Sequence, residues 1–170
     1  MSRRRGVHAA IVMLVIFFVG CGGKAPREQF EKAGGFSYDP PKGWQVVEFP
    51  GLKYRSAHGP AENGFAPNIN VVDETFAGSL AEYVDGNLAT LKKMFTDFKL
   101  LKREDFQTED GLPATRLVVE DNQQGRSLRQ SFCFFGNSTR KYVVTCTALA
   151  ERGESLDALF AQSMKTFRLH

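Results

Sequence analysis

The chain has 170 residues, and its net charge of +3 is accounted for by three arginines among the first 20 residues, so the rest of the chain is electrically neutral. A neutral body argues against nucleic-acid binding, which usually needs a basic face. The length that remains after residue 20 is enough for one domain, which would bury about 70% of the surface of its unfolded chain.

The N-terminal segment has the pattern of an export signal. Three arginines at positions 3–5 precede an apolar run at 9–19, which is too short to cross a bilayer as a helix of about 20 residues and fits the central region of a signal peptide. Cys21 follows directly after the small Gly20. Residues 18–21 resemble the lipobox of bacterial lipoproteins, which implies cleavage before Cys21 and acylation of that cysteine.

These observations predict a signal peptide at 1–20, a lipid-attached tether at 21–34 and one domain at 35–170. The several acyl chains of a bacterial lipoprotein anchor a protein stably, so we expect the chain at the cell envelope. Gly22 follows the cysteine in place of an aspartate, which by resemblance to enteric sorting rules favours the outer membrane over the inner one. An ordinary cleaved signal or an uncleaved anchor is the alternative.

The body predicts short strands followed by longer strands and two helices. Strands are predicted at 36–38, 44–49, 53–58 and 68–74, with an exposed loop at 59–67 that contains two prolines and two glycines. Ser79 and Glu82 have the spacing of a capping box, and the apolar stripe that follows predicts a helix at 79–96. Further strands are predicted at 99–108, 114–121, 126–135 and 140–149, a second helix at 155–166, and a closing segment at 167–169. This order predicts an α+β fold in which helices pack on an antiparallel β-sheet.

Cys133 and Cys146 are the cysteines of the body. A turn at 136–139 would place Cys133 opposite Tyr142 and Arg129 opposite Cys146, which separates the sulfurs by about 13 Å at strand rise. A disulfide needs Cα atoms within about 7 Å, so we predict two buried free thiols even though the envelope is oxidising. The body has two histidines and no Cys-x-x-Cys or His-x-x-x-His spacing, so no metal or other cofactor is expected.

The sequence contains no recognisable catalytic constellation. Adjacent acids occur at 73–74, 104–105, 109–110 and 120–121, near predicted strand ends and turns, and are expected to be solvated. His58 has no visible orienting partner, and no Gly-x-Ser-x-Gly motif positions a serine nucleophile. The chain is therefore predicted not to be an enzyme.

The loop at 59–67 is longer than the median connection of about 4–6 residues, and long loops on rigid sheets often carry binding residues. Tyr54, His58 and Phe65 offer side chains of the type that anchor protein interfaces. We predict that these three residues bind a partner protein, with Phe65 exposed near the loop tip. The alternative is that the aromatic residues belong to the core.

Several segments together resemble a known fold family: FSYDPPKGW at 36–44, the helix opened by Ser79, the turn at 110–113 and the closing segment at 159–169. They resemble the PsbP/Mog1-like fold, and more narrowly its bacterial lipoprotein branch, similar to the DcrB and DUF1795 groups. The resemblance implies an αβα sandwich and a non-catalytic role in binding partner proteins or assisting membrane complexes. A carrier of a small apolar ligand and an envelope hydrolase without a recognisable motif are the alternatives.

Overall fold

The computed structural model describes residues 34–170, so the predicted signal peptide, Cys21 and nearly all of the predicted tether lie outside the described residues. Nine strands and two helices follow one another in this part of the chain: β1 (Phe36–Ser37), β2 (Gln45–Val47), β3 (Ser56–His58), β4 (Asn68–Thr75), α1 (Leu80–Met94), β5 (Thr96–Gln107), β6 (Pro113–Gln123), β7 (Arg126–Gly136), β8 (Arg140–Leu149), α2 (Ala150–Lys165) and β9 (Arg168–Leu169). Neither helix in this range has the length and apolar composition that a membrane span requires.

The strands form one seven-stranded antiparallel sheet in the order β2-β3-β4-β8-β7-β6-β5, while β1 pairs with β9 separately. Alternate side chains along each strand point to opposite faces. Helix α2 packs on one face and helix α1 on the other, each over its own apolar cluster, and we call these the α2 face and the α1 face. The predicted α+β fold, with helices on an antiparallel sheet, is confirmed.

Helix α1 begins as its sequence predicts. The Ser79 hydroxyl accepts the backbone N–H of Glu82 at 3.2 Å, and the Glu82 carboxylate accepts the backbone N–H of Ser79 at 2.8 Å. Asn87 interrupts the apolar stripe, yet it is buried because its amide donates to the carbonyl of Tyr83 at 2.9 Å. The helix ends at Met94, two residues before the predicted end.

Helix α2 begins five residues earlier than predicted, because strand β8 passes into it without an intervening loop. Gly153 is typical of a break, but here it lies within the first turns of the helix. A Cβ atom at this position would lie 2.4 Å from the side chain of Arg129 on β7. The glycine therefore allows the helix to approach the sheet closely and does not end it.

The predicted pairing of β7 with β8 is wrong by two residues. Cys133 lies opposite Val144, and Cys146 lies opposite Ser131. The turn is centred one residue later than predicted, because the side-chain oxygen of Asn137 accepts backbone N–H groups within it. The two cysteines thus become diagonal neighbours on the α2 face, for which Cα atoms lie about 7–8 Å apart. Both thiols are buried and unbonded. The absence of a disulfide stays a prediction, and the distance between the two cysteines is smaller than the predicted pairing implied.

Candidate functional site

On the α1 face, the side chains change from mostly apolar to mostly polar along neighbouring strands. The apolar side chains of the sheet lie under α1 and include Leu117, Val119, Phe132, Phe134 and Val143. Further along the same strands, and on the adjoining strand β3, this face carries polar residues, which we call the polar patch: Ser56, His58, Asn68, Asn70, Asp121, Gln123, Gln130 and Thr147. All of them except Asn70 are buried.

Strand pairing aligns four patch residues in a row across the sheet. His58 is paired with Asn68, Asn68 with Thr147, and Thr147 with Gln130. On β6 the residue opposite Gln130 is the apolar Val119, and Asp121 lies two residues further along, opposite Leu128. The three steps from β3 to β7 span about 14 Å at the usual spacing between strands.

The amides of the patch are joined by short hydrogen bonds. The Gln123 amide donates to the side-chain oxygen of Gln130 at 3.0 Å, and the Gln130 amide donates to the Thr147 hydroxyl at 3.0 Å. At the other end of the row, the Asn70 amide donates to the side-chain oxygen of Asn68 at 2.9 Å. Each of these bonds restricts the orientation of the two side chains that it joins.

Asp121 differs from the other patch residues, because its side chain is only 3% exposed and neither carboxylate oxygen has a hydrogen-bond partner in the described part of the chain. Burial raises the pKa of Asp121 to about 6, and the nearby amide of Gln123 opposes part of this rise. The expectation that the acids at 120–121 are both solvated is therefore wrong. Glu120 points to the opposite face, where it pairs with Arg129 at 3.1 Å.

The structure does not bring the three predicted partner-binding residues together. Tyr54 joins the cluster on the α2 face and meets the ring of Phe36 edge to face, with 4.9 Å between centroids. His58 belongs to the polar patch on the α1 face. Phe65 is only 4% exposed, so the expectation of an exposed Phe65 is wrong. A role for these residues in partner binding stays a prediction.

Ser56 and His58 lie 2.7 Å apart, which is the spacing of a nucleophile and its base. The Ser56 hydroxyl also lies 3.2 Å from the carbonyl oxygen of Ile69, which can only accept a hydrogen bond. When the Ser56 proton goes to that carbonyl, the imidazole is the donor in the bond between His58 and Ser56. Burial lowers the pKa of His58.

The chemistry of the patch is hydrogen bonding. Its groups are a carboxylate, carboxamides, hydroxyls and an imidazole. Within residues 34–170, no three His, Cys, Asp or Glu side chains are grouped closely enough to hold a metal ion. The arrangement suits recognition of a ligand that is itself rich in hydrogen-bonding groups.

The sequence carries a signal for the patch that composition alone does not show. Asn68 and Asn70 alternate with buried Ile69 on β4, and Asp121 and Gln123 alternate in the same way on β6. Such alternation predicts two faces of different chemistry. The patch forms only because β4 pairs with β8. This pairing joins strands far apart in the chain and cannot be predicted from the sequence pattern of either strand.

Comparisons with solved structures identify the architecture. LpqN, which is involved in cell envelope biogenesis of Mycobacterium tuberculosis, superposes with a TM-score of 0.62 at 14% identity, over 79% of this chain and 82% of LpqN. The cyanobacterial PsbP protein of Synechocystis superposes with a TM-score of 0.58 at 16% identity, over 89% of this chain and 98% of its own. The chain has a PsbP-like fold.

A Pseudomonas aeruginosa protein of unknown function shares this PsbP-like fold, with a TM-score of 0.58 at 19% identity, over 72% of this chain and 94% of its own. No family model and no curated protein matches the chain. At these identities the comparisons establish the fold, so the chemistry of the site has to be argued from the polar patch itself.

Proposed function

We propose that this chain is a lipid-anchored, non-catalytic binding module of the bacterial cell envelope, and that the polar patch forms part of its binding site. The observation that carries the proposal is the change from mostly apolar to mostly polar side chains along neighbouring strands on the α1 face. If this part of the α1 face were ordinary hydrophobic core, its side chains would be apolar like those under α1. Oriented amides and hydroxyls are instead what a binding site uses to fix the orientation of a ligand.

The envelope location is supported by the leader and by the fold. The arginines at 3–5, the apolar run at 9–19 and Cys21 form the pattern of a lipoprotein signal. LpqN, which has the same fold, is involved in envelope biogenesis. The resemblance to the bacterial lipoprotein branch, similar to the DcrB and DUF1795 groups, supports the same assignment. Outer-membrane residence follows from Gly22 by the sorting argument.

Metabolic labelling tests the anchor. Cells that express the full chain are grown with an alkyne-bearing fatty acid, and the protein is isolated and coupled to a fluorophore. We expect label on the wild type and none on Cys21→Ser. Cys133→Ala is the matched control, because it removes a buried thiol and should keep the label. Equal labelling of wild type and Cys21→Ser would refute lipidation at Cys21.

Membrane fractionation of the same cells tests which of the two membranes holds the protein. The wild type should be recovered with outer-membrane vesicles, and Cys21→Ser should leave the membrane fraction. Recovery of the labelled wild type in inner-membrane vesicles would contradict the sorting argument while leaving the lipid anchor intact.

A further inference from the structure

The electrically neutral body of the chain contains one strongly basic segment. Residues 92–103 carry five cations and one acid, and they include the end of α1 and the first part of β5. Two of the cations are paired with neighbouring acids. The other three are exposed and make no ion pair with the described part of the chain: Lys92, Lys93 and Lys99.

The same segment holds the two large apolar side chains that are exposed in residues 34–170. Met94, the last residue of α1, is 45% exposed, and Leu100 on β5 is 36% exposed. Leu100 lies opposite Val119 on the α1 face, while Lys99 lies opposite Glu120 on the α2 face. Because β5 is an edge strand, side chains from both faces can touch one surface that approaches this edge. We call the following residues the basic edge: Lys92, Lys93, Met94, Lys99 and Leu100.

Helix α1 contributes to the basic edge on the side that faces β5. Asp85 and Lys92 are seven residues apart, which places them on the same side of the helix. The Asp85 carboxylate accepts a hydrogen bond from Arg103 on β5 at 2.7 Å, so this side of α1 faces the strand. The basic edge therefore extends from the last turn of α1 to β5.

The backbone of β5 argues against a partner that adds a further strand. The register between β5 and β6 shifts between Thr96 and Lys99 and again between Leu100 and Lys102. Such irregularities twist an edge strand and interrupt the row of N–H and C=O groups that another strand would need. Lysines beside exposed apolar side chains are instead the composition of a surface that binds an anionic bilayer, where phosphates meet the ammonium groups and the apolar groups enter the interface.

The chain between the predicted anchor and the domain is long enough for this contact. The segment from Cys21 to Gly34 spans at most about 45 Å when fully extended. The Gly34 carbonyl accepts the hydroxyl of Tyr142 on β8 at 2.9 Å, at the level of Phe106 on β5. Leu100 lies three strand spacings across the sheet from this point and about 20 Å along it, which gives a distance of about 25 Å. The anchor and the basic edge can therefore contact the same bilayer.

We propose that the basic edge docks on the anionic phospholipid surface of the membrane that holds the lipid anchor. This inference rests on the proposed function as a lipid-anchored module and names a second contact of that module with the membrane. The three lysines lie against headgroup phosphates, and Met94 and Leu100 enter the interface between them. The acyl chains supply most of the affinity, and the basic edge fixes the orientation of the domain, with β5 toward the bilayer.

The test uses the full chain, isolated from membranes and reconstituted in vesicles of phosphatidylcholine, alone or mixed with phosphatidylglycerol. Thr96→Cys places a reactive thiol in the exposed part of this segment, and it is labelled with an environment-sensitive fluorophore, while Cys133 and Cys146 are buried. We expect the emission to shift to the blue, and nitroxide-bearing lipids to quench it, in the anionic vesicles only. Glu154→Cys, at an exposed position of α2, is the matched control and should report an aqueous environment in both kinds of vesicle.

Removal of two charges from the basic edge should release the domain from the surface. Each cation near an anionic surface contributes about fivefold to binding, so Lys92→Gln with Lys99→Gln should lower the docking equilibrium constant by about 25-fold. Salt at about 1 M, which shortens the Debye length to about 3 Å, should have the same effect. Lys42→Gln with Lys165→Gln removes two exposed lysines elsewhere and should leave docking unchanged.

Equal spectra in both kinds of vesicle would overturn the proposal, as would equal docking with and without the two substitutions in the basic edge. A spectral shift caused by soluble polyglutamate but not by anionic vesicles would overturn it in favour of an acidic protein partner. Protein that does not float with vesicles of phosphatidylcholine alone would refute the lipid anchor. Anchored protein whose fluorophore at position 96 stays in water would refute only the docking of the basic edge, so the two failures are distinguishable.

Discussion

Replacement of Asp121 by asparagine should change how the stability of the protein depends on pH. Burial raises the pKa of Asp121 from an ordinary value of 3.8 to about 6 in the folded state, so the folded protein binds this proton more tightly than the unfolded chain does. Wild-type stability should therefore rise as pH falls from about 7 to about 4. The difference between the two pKa values corresponds to about 3 kcal/mol at most, which the wild type loses again as pH rises through 6.

Urea unfolding of the full-length wild type and Asp121→Asn at pH 4, 5.5 and 8 measures this effect. The single tryptophan, Trp44, packs against Phe160 in the core and reports unfolding by its fluorescence. Asparagine does not titrate, so the variant should lack this part of the pH dependence, while the other ionisable groups contribute equally to both proteins. Parallel changes in the free energy of unfolding of the two proteins would refute the argument that Asp121 is buried as an uncompensated carboxylate.

The remaining predictions concern the parts of the fold that support the sheet. Ser79→Ala should lower the free energy of unfolding by about 1 kcal/mol because it removes the capping hydroxyl of α1, and urea unfolding should show Ser79→Asn closer to the wild type. Phe167→Ala should lower it by about 3–5 kcal/mol, because this ring is fully buried and stacks on Phe135 with 4.0 Å between centroids. An unchanged urea midpoint would contradict that packing. Cys133 and Cys146 should resist alkylation in the folded protein and react after denaturation, since burial raises the pKa of Cys133 to about 12. Mass spectrometry of unreduced protein would reveal a cross-linked peptide if the two are bonded.

Local chemistry predicted the elements whose determinants are close together in sequence. Helix α1 depends on Ser79, Glu82 and an apolar stripe within a few turns, and all of these signals lie within about 15 residues. The order of long strands and the α+β class follow from periodicity in the same way. The start of α2 could not be predicted in this way. Gly153 is needed because the side chain of Arg129 on β7 lies close to it, and this is a tertiary contact.

The polar patch was not predicted because its residues come from strands far apart in the chain. Asn68 and Thr147 lie side by side only through the pairing of β4 with β8. The acids at 120–121 are expected from the sequence to be solvated, since residues at strand ends usually are. Asp121 nevertheless points to a buried face, and the sequence of β6 alone does not show which of its two faces is covered. The predicted exposure of Phe65 failed for a similar reason, because loop composition does not show what a side chain meets in the folded protein.

The pairing of β1 with β9 has a consequence for the order of folding. Phe36 pairs with Leu169, and its ring stacks on Phe167 with 5.5 Å between centroids, so residues near the start of the described domain depend on residues about 130 positions later. Closing a loop of this length costs about 4 kcal/mol more than closing a very short one. Contacts of such high sequence separation slow folding, and they cannot form until Arg168–Leu169 have been synthesised. Strand β1 is therefore expected to dock late, after the hairpins of the main sheet have formed.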